Sequence, residues 1–177
     1  MWSLIARNIL KRPVTEAPPE ISGEVLAELA SKVDKAARAR LGRSLSIRQV
    51  DAGSCNGCEL EIHALNNPFY DIERFGIRFV ASPRHADVLL VTGPVTANMA
   101  EALKRTYDAT PDPKWVVATG DCAFDAGLFA GSSAVIGGVS AVIPVDVHIR
   151  GCPPTPVQLL SGLLGLLEHV RKGGATG

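Results

Sequence analysis

Two short runs, DVLLVTG (residues 87–93) and KWVVATG (114–120), constrain this chain more than any other feature. Each is apolar at consecutive positions and closes on a glycine. A strand with one wet face alternates apolar and polar residues. A strand apolar on both faces belongs in a parallel sheet covered by helices on each side. Other strand-like runs are LSIRQV (45–50), IRFV (77–80) and AVIPVDVHI (141–149). Helix-like segments lie between and after them, at 58–66, 96–107 and 155–171. Strand–helix alternation predicts a doubly wound α/β fold, a mostly parallel sheet with helices on both faces. The 177 residues suit one such domain, and a hydrophobic content of 46% fills its core.

The first 44 residues have a different texture. Residues 1–12 suit a short amphipathic helix stopped by Pro13, with Trp2, Ile5, Ala6 and Ile9 on one face and Arg7 and Lys11 opposite. Such a segment suits a membrane surface or a partner. Pro13 to Pro19 reads as a linker. Ser22 caps a helix over residues 23–41, closed by Gly42, with a narrow apolar stripe of Val25, Leu29 and Val33. The expected organisation is an N-terminal region 1–44, an α/β domain 45–172 and a flexible tail 173–177. No apolar run reaches a membrane span, and the N-terminus lacks the order of a secretory signal, so the expected compartment is the cytoplasm. With 18 basic and 18 acidic residues and 5% aromatics, nothing suggests a nucleic-acid partner.

In the cytoplasm four cysteines read first as metal ligands or redox groups. Cys55 and Cys58 follow the run LSIRQV, Cys122 follows KWVVATG, and Cys152 follows AVIPVDVHI. The carboxyl ends of parallel strands share one edge, where open α/β sheets bind ligands. Three strand ends would therefore bring four sulfurs together. One close pair and two remote singles suit a [4Fe–4S] cluster, and Cys152 precedes Pro153 as in many ferredoxin-type runs. Gly53, Gly57, Gly120 and Gly151 would let backbone approach the sulfurs. Zinc stays open, although structural zinc favours two compact knuckles. A thioredoxin-like couple at Cys55 and Cys58 also stays open, but leaves Cys122 and Cys152 without a role.

With all four positions in view, the chain resembles the small cluster-carrying subunit shared by complex I and the membrane-bound group 4 [NiFe] hydrogenases. The resemblance rests on GSCNGCELEI, SPRHADVLLVTGPVT, PKWVVATGDCAFDAG and IPVDVHIRGCPPTP, in that order, and covers roughly residues 45–171. It implies a flavodoxin-like fold and one [4Fe–4S] cluster on Cys55, Cys58, Cys122 and Cys152. Complex I subunits usually carry adjacent cysteines at the first site. The spacing Cys-Asn-Gly-Cys is that of the formate-hydrogenlyase and CO-induced hydrogenase branch. The implied role is electron relay beside a [NiFe] site held by a large catalytic subunit. A ferredoxin-like subunit and membrane subunits would complete the complex, placed peripherally on the cytoplasmic side of the inner membrane. The rivals are a complex I-like, quinone-reducing relative and a zinc-stabilised scaffold without redox activity.

The resemblance also suggests that Glu61 faces the catalytic subunit and passes protons. Otherwise Glu59 and Glu61 are acids favoured near a helix N-terminus, by about 0.3–1 kcal/mol each. Arg84 and Asp87 form a surface ion pair or an interface contact. Asp121 and Asp125 read as turn residues or supports beside Cys122. His63, His85, His148 and His169 show no ligand spacing. The leucines at 159, 160, 163, 164, 166 and 167 make the last helix a cover for the sheet.

Overall fold

The computed structural model describes residues 23–173. The amphipathic segment 1–12, the proline-rich linker, the Ser22 cap, the side chain of His169 and the tail beyond Gly173 lie outside the described residues. In chain order the elements are α1 (Gly23–Leu41), β1 (Leu45–Asp51), α2 (Gly57–Ala64), β2 (Ile77–Phe79), β3 (Val88–Thr92), β4 (Val95–Thr96) and α3 (Ala97–Ala109). There follow β5 (Trp115–Thr119), α4 (Asp121–Asp125), β6 (Val135–Gly137), β7 (Val147–Ile149) and α5 (Pro156–Gly173).

The two glycine-closed runs become β3 and β5, and every residue of both is buried. Successive side chains point to opposite faces of the sheet. Val88 and Leu90, with Trp115 and Val117, enter one apolar cluster beneath α1, α2 and α5. Leu89 and Val91, with Val116 and Ala118, enter the other beneath α3. Burying a leucine or valine completely contributes about 1.5–3 kcal/mol. Strands that do so on both faces therefore sit at the centre of the sheet.

The main sheet has the order β2-β1-β3-β5-β7, and all its pairings are parallel. This is the flavodoxin-like order, with helices on both faces, as the strand–helix alternation predicts. The chain leaves β1 for β2 on one side and then crosses back to β3 on the other. The switch point therefore lies between the carboxyl ends of β1 and β3.

Helix α1 has a partner in its own chain. Leu26, Ala30, Val33 and Ala37 are buried in the same cluster as Leu160, Leu163 and Leu167 of α5. Val25, expected on the buried stripe, is instead exposed. The run 141–149 shortens to the three strand residues of β7. Pro144 has no N–H for a ladder, and the Asp146 carboxylate takes the Val116 N–H at 2.7 Å. The glycine-rich stretch 127–140 includes β6, paired antiparallel with β4. No helix among the described residues is long and apolar enough to cross a membrane.

Candidate metal centre

Each cysteine is delivered by the end of a strand. Past β1, the Asp51 carboxylate accepts the N–H groups of Gly53 and Ser54, both at 2.8 Å, and turns the chain. Cys55 sits in that turn and Cys58 in the first turn of α2. Past β5, Gly120 leads into α4, which carries Cys122. Past β7, Gly151 leads to Cys152. Two backbone bonds join the last two loops. Gly120 donates to the Ile149 carbonyl at 2.8 Å, and Asp121 donates to the Gly151 carbonyl at 2.9 Å.

The structure brings all four cysteines to one cavity of about 120 Å³. Ser54, Gly57, Gly93, Asp121, Gly151 and Pro153 complete its lining. Gly120 and Gly93 leave no space for a side chain, and Gly127 leaves little. A Cβ on Gly120 would stand 2.6 Å from the Cys58 Sγ, and one on Gly127 would stand 3.1 Å from the Cys122 Sγ. A Cβ on Gly93 would meet the Ser54 backbone at 2.5 Å. Gly93 is absent from the sequence-level set, although it closes the run DVLLVTG at the switch point.

The donor set fits a polynuclear iron–sulfur group. A water-sized sphere needs only ~10–15 Å³, an order of magnitude less than this cavity. Among the described residues, no group of three or more His, Cys, Asp or Glu side chains could hold a single metal ion. One tetrahedral zinc ion would draw four sulfurs to about 2.3 Å from itself. A cluster takes one thiolate at each corner and tolerates a wider ring of donors. The cavity also lacks a cation of its own. Burial, then the charges of Glu59 and the other three cysteines, push the Cys58 thiol up to about 12. Burial, then Cys152 and Cys55, raise Cys122, while a hydrogen bond from the Leu128 N–H works the other way. The raised thiols of Cys58 and Cys122 hold their protons until a metal displaces them, so loading releases protons.

The acids divide by burial. Glu59 is the buried one, 4% exposed, and neither carboxylate oxygen has a hydrogen-bond partner among the described residues. No helical stripe in CELEI marks it as inward-facing. Glu61 is half-buried on the same short helix. Asp87 does not pair with Arg84. It lies 3% exposed, bridged to Arg43 by two hydrogen bonds and accepting the Ser46 N–H at 2.9 Å. Arg84 is exposed. Asp125 closes a turn to the Gly127 N–H, whereas Asp121 faces the cavity. A cavity of about 420 Å³ between α1 and α5 contains no cysteine.

Large apolar side chains are exposed in the segments that carry two of the cysteines. Leu60 is 61% exposed and Leu128 94% exposed, and Phe124 and Phe129 are also exposed. All four belong to the segments that carry Cys58 and Cys122.

Comparison with known proteins places most of the described residues in one family. The family described as NADH ubiquinone oxidoreductase, 20 Kd subunit, matches residues 55–166, a span holding all four cysteines. A probable membrane-bound hydrogenase subunit mbhJ of Pyrococcus furiosus is 48% identical over 132 residues, covering 75% of this chain and 79% of that protein. Formate hydrogenlyase subunit 7 of Escherichia coli is 48% identical over 141 residues. That match covers 76% of this chain but only 55% of the relative. Among solved structures, a chain of the membrane-bound sulfane sulfur reductase, an archaeal respiratory membrane complex, superposes with a TM-score of 0.66 at 36% identity. It covers 83% of this chain and 79% of that one.

Proposed function

Because the chain belongs to the NADH ubiquinone oxidoreductase 20 kDa subunit family, we propose that it is the electron-transfer subunit of a membrane-bound, hydrogenase-type complex, with Cys55, Cys58, Cys122 and Cys152 holding one [4Fe–4S] cluster. The observation that carries this reading is the convergence of four thiols from three strand ends on one cavity with no room for further side chains. When bound, such a cluster supplies one-electron transfer, at a potential tuned by hydrogen bonds to its sulfurs and by exposure. The chain's own contribution is to hold the thiolates. The Leu128 N–H aimed at Cys122 stabilises its anionic form. Cys55 and Cys152 stay exposed, leaving the site open toward a partner.

The apolar rim of Leu60, Phe124, Leu128 and Phe129 is the surface on which a larger catalytic subunit would close. Glu61, half-buried on α2, would meet that partner and exchange protons with it. The relatives named as a membrane-bound hydrogenase subunit and formate hydrogenlyase subunit 7 are each 48% identical to this chain and support the hydrogenase-type reading. The Cys-x-x-Cys spacing points the same way. The subunit would sit peripherally, on the cytoplasmic side of the membrane, beside ferredoxin-like and membrane subunits.

Anaerobically purified protein should be brown and carry about four irons and four sulfides per chain. Cys122→Ser should lose the cluster as completely as Cys55→Ser. Colourless protein with one zinc, or a Cys122→Ser variant with full iron, would overturn the reading. A co-purifying large subunit without two Cys-x-x-Cys pairs would move the assignment to the complex I side.

A further inference from the structure

Among the described residues lining the four-cysteine cavity, Asp121 is the one charged side chain other than the thiols. It directly precedes Cys122, and its charge helps to raise that thiol. A carboxylate beside four thiols adds negative charge to a site that bound thiolates would already make negative. Its counter-charge is Arg150. The Arg150 Nε lies 2.7 Å from the Asp121 Oδ1, and the same oxygen accepts the Gly151 N–H at 3.2 Å. Arg150 is the residue after β7, two before Cys152. The carboxylate thus stands in the loop of one ligand and the guanidinium in the loop of another.

Further contacts hold the guanidinium in place. Its carbon lies 4.2 Å from the centre of the Phe124 ring. That ring packs edge-to-face on His148, with centroids 4.8 Å apart. Phe124 belongs to the Cys122 segment and His148 to β7, so the stack joins the same two loops. The pair is half-exposed, 52% and 36% for the two side chains. Ion pairs that exposed contribute little to stability. Its position at the mouth of a many-charged site indicates a different role.

We propose that Arg150 is a positioning residue and counter-charge: it holds the Asp121 carboxylate between the Cys122 and Cys152 loops and offsets its charge, and the pair thereby sets the reduction potential of the group the thiols bind. This rests on the reading given under Proposed function. Reduction adds one electron, and with it one negative charge, to the site. An unbalanced carboxylate opposes that step, and an unbalanced guanidinium favours it.

The test is an EPR-monitored redox titration of the full complex, purified anaerobically, with dithionite as reductant and iron counted in parallel. Wild type is compared with Arg150→Ala, Arg150→Lys and Asp121→Asn. Arg150→Ala should move the midpoint to more negative potential and Asp121→Asn to more positive. Arg150→Lys should stay within error of wild type. A residue that only supported the loops would lower iron content in each variant without opposite shifts. Shifts of the same sign, or none in either iron-loaded variant, would overturn the proposal. Should Arg150→Ala fail to load, the sign of the Asp121→Asn shift decides, positive supporting and zero or negative overturning it. A wild type without iron would instead overturn the cluster reading, and this proposal with it.

Discussion

A methyl group at position 120 would collide with a sulfur of the four-cysteine cavity. Gly120 holds a φ of +92°, and its added Cβ would stand 2.6 Å from the Cys58 sulfur. Backbone strain of that kind costs about 1–3 kcal/mol for a residue with a side chain, and the sulfur would have to move as well. Gly120→Ala should therefore retain its far-UV circular dichroism and lose most of its iron under anaerobic purification. Full iron in that variant would show that the close approach is not needed. Glu59 has the opposite difficulty, since its carboxylate is enclosed without a partner among the described residues. Replacing it with Gln keeps the shape and removes a negative charge beside Cys58, a contributor to the raised thiol. Thermal denaturation should show Glu59→Gln no less stable than wild type.

At the scale of elements, α3 has a stop that is easily tested. Lys114 is largely buried and donates to the carbonyls of Tyr107 and Thr110, each at 3.1 Å, with its ammonium 4.2 Å from the Tyr107 ring centre. These carbonyls lie at the negative end of the helix dipole, where a cation is favourable. Lys114→Ala should cost about 1–3 kcal/mol in chemical denaturation, the range for a buried charged hydrogen bond lost. This cap follows from tertiary placement, and the sequence does not announce it. The same distinction separates what was legible from what was not. β3 and β5 were legible because burial on both faces writes an apolar run into consecutive residues. The cysteine loops were legible because each follows such a run. The two-residue β4 and the small antiparallel pairing to β6 leave no such imprint. The packing of α1 on α5 joins segments more than a hundred residues apart. Arg150 and Asp121 meet only because β5 and β7 are neighbours. The inward turn of Glu59 depends on how α2 sits on the sheet, which its own eight residues do not encode.

The whole molecule presents an apolar, cysteine-bearing edge at one end of a well-filled sheet. Large apolar side chains exposed together mark an interface rather than a finished surface. Leu128→Asp should leave the melting temperature within a few degrees of wild type, since surface changes usually alter stability by about 0.5 kcal/mol or less. It should nevertheless reduce co-purification of the proposed larger subunit, and unchanged recovery would remove that edge from the proposed interface. Both halves of the molecule are needed before this edge exists. The donors run from position 55 to position 152, and the strand that brings the last of them, β7, pairs on one side only, with β5. A growing polypeptide therefore completes its set of four thiols only once Cys152 has been made. On the proposed reading, iron delivery acts only on chains that have passed Cys152, and cells short of iron should accumulate the polypeptide in its thiol form.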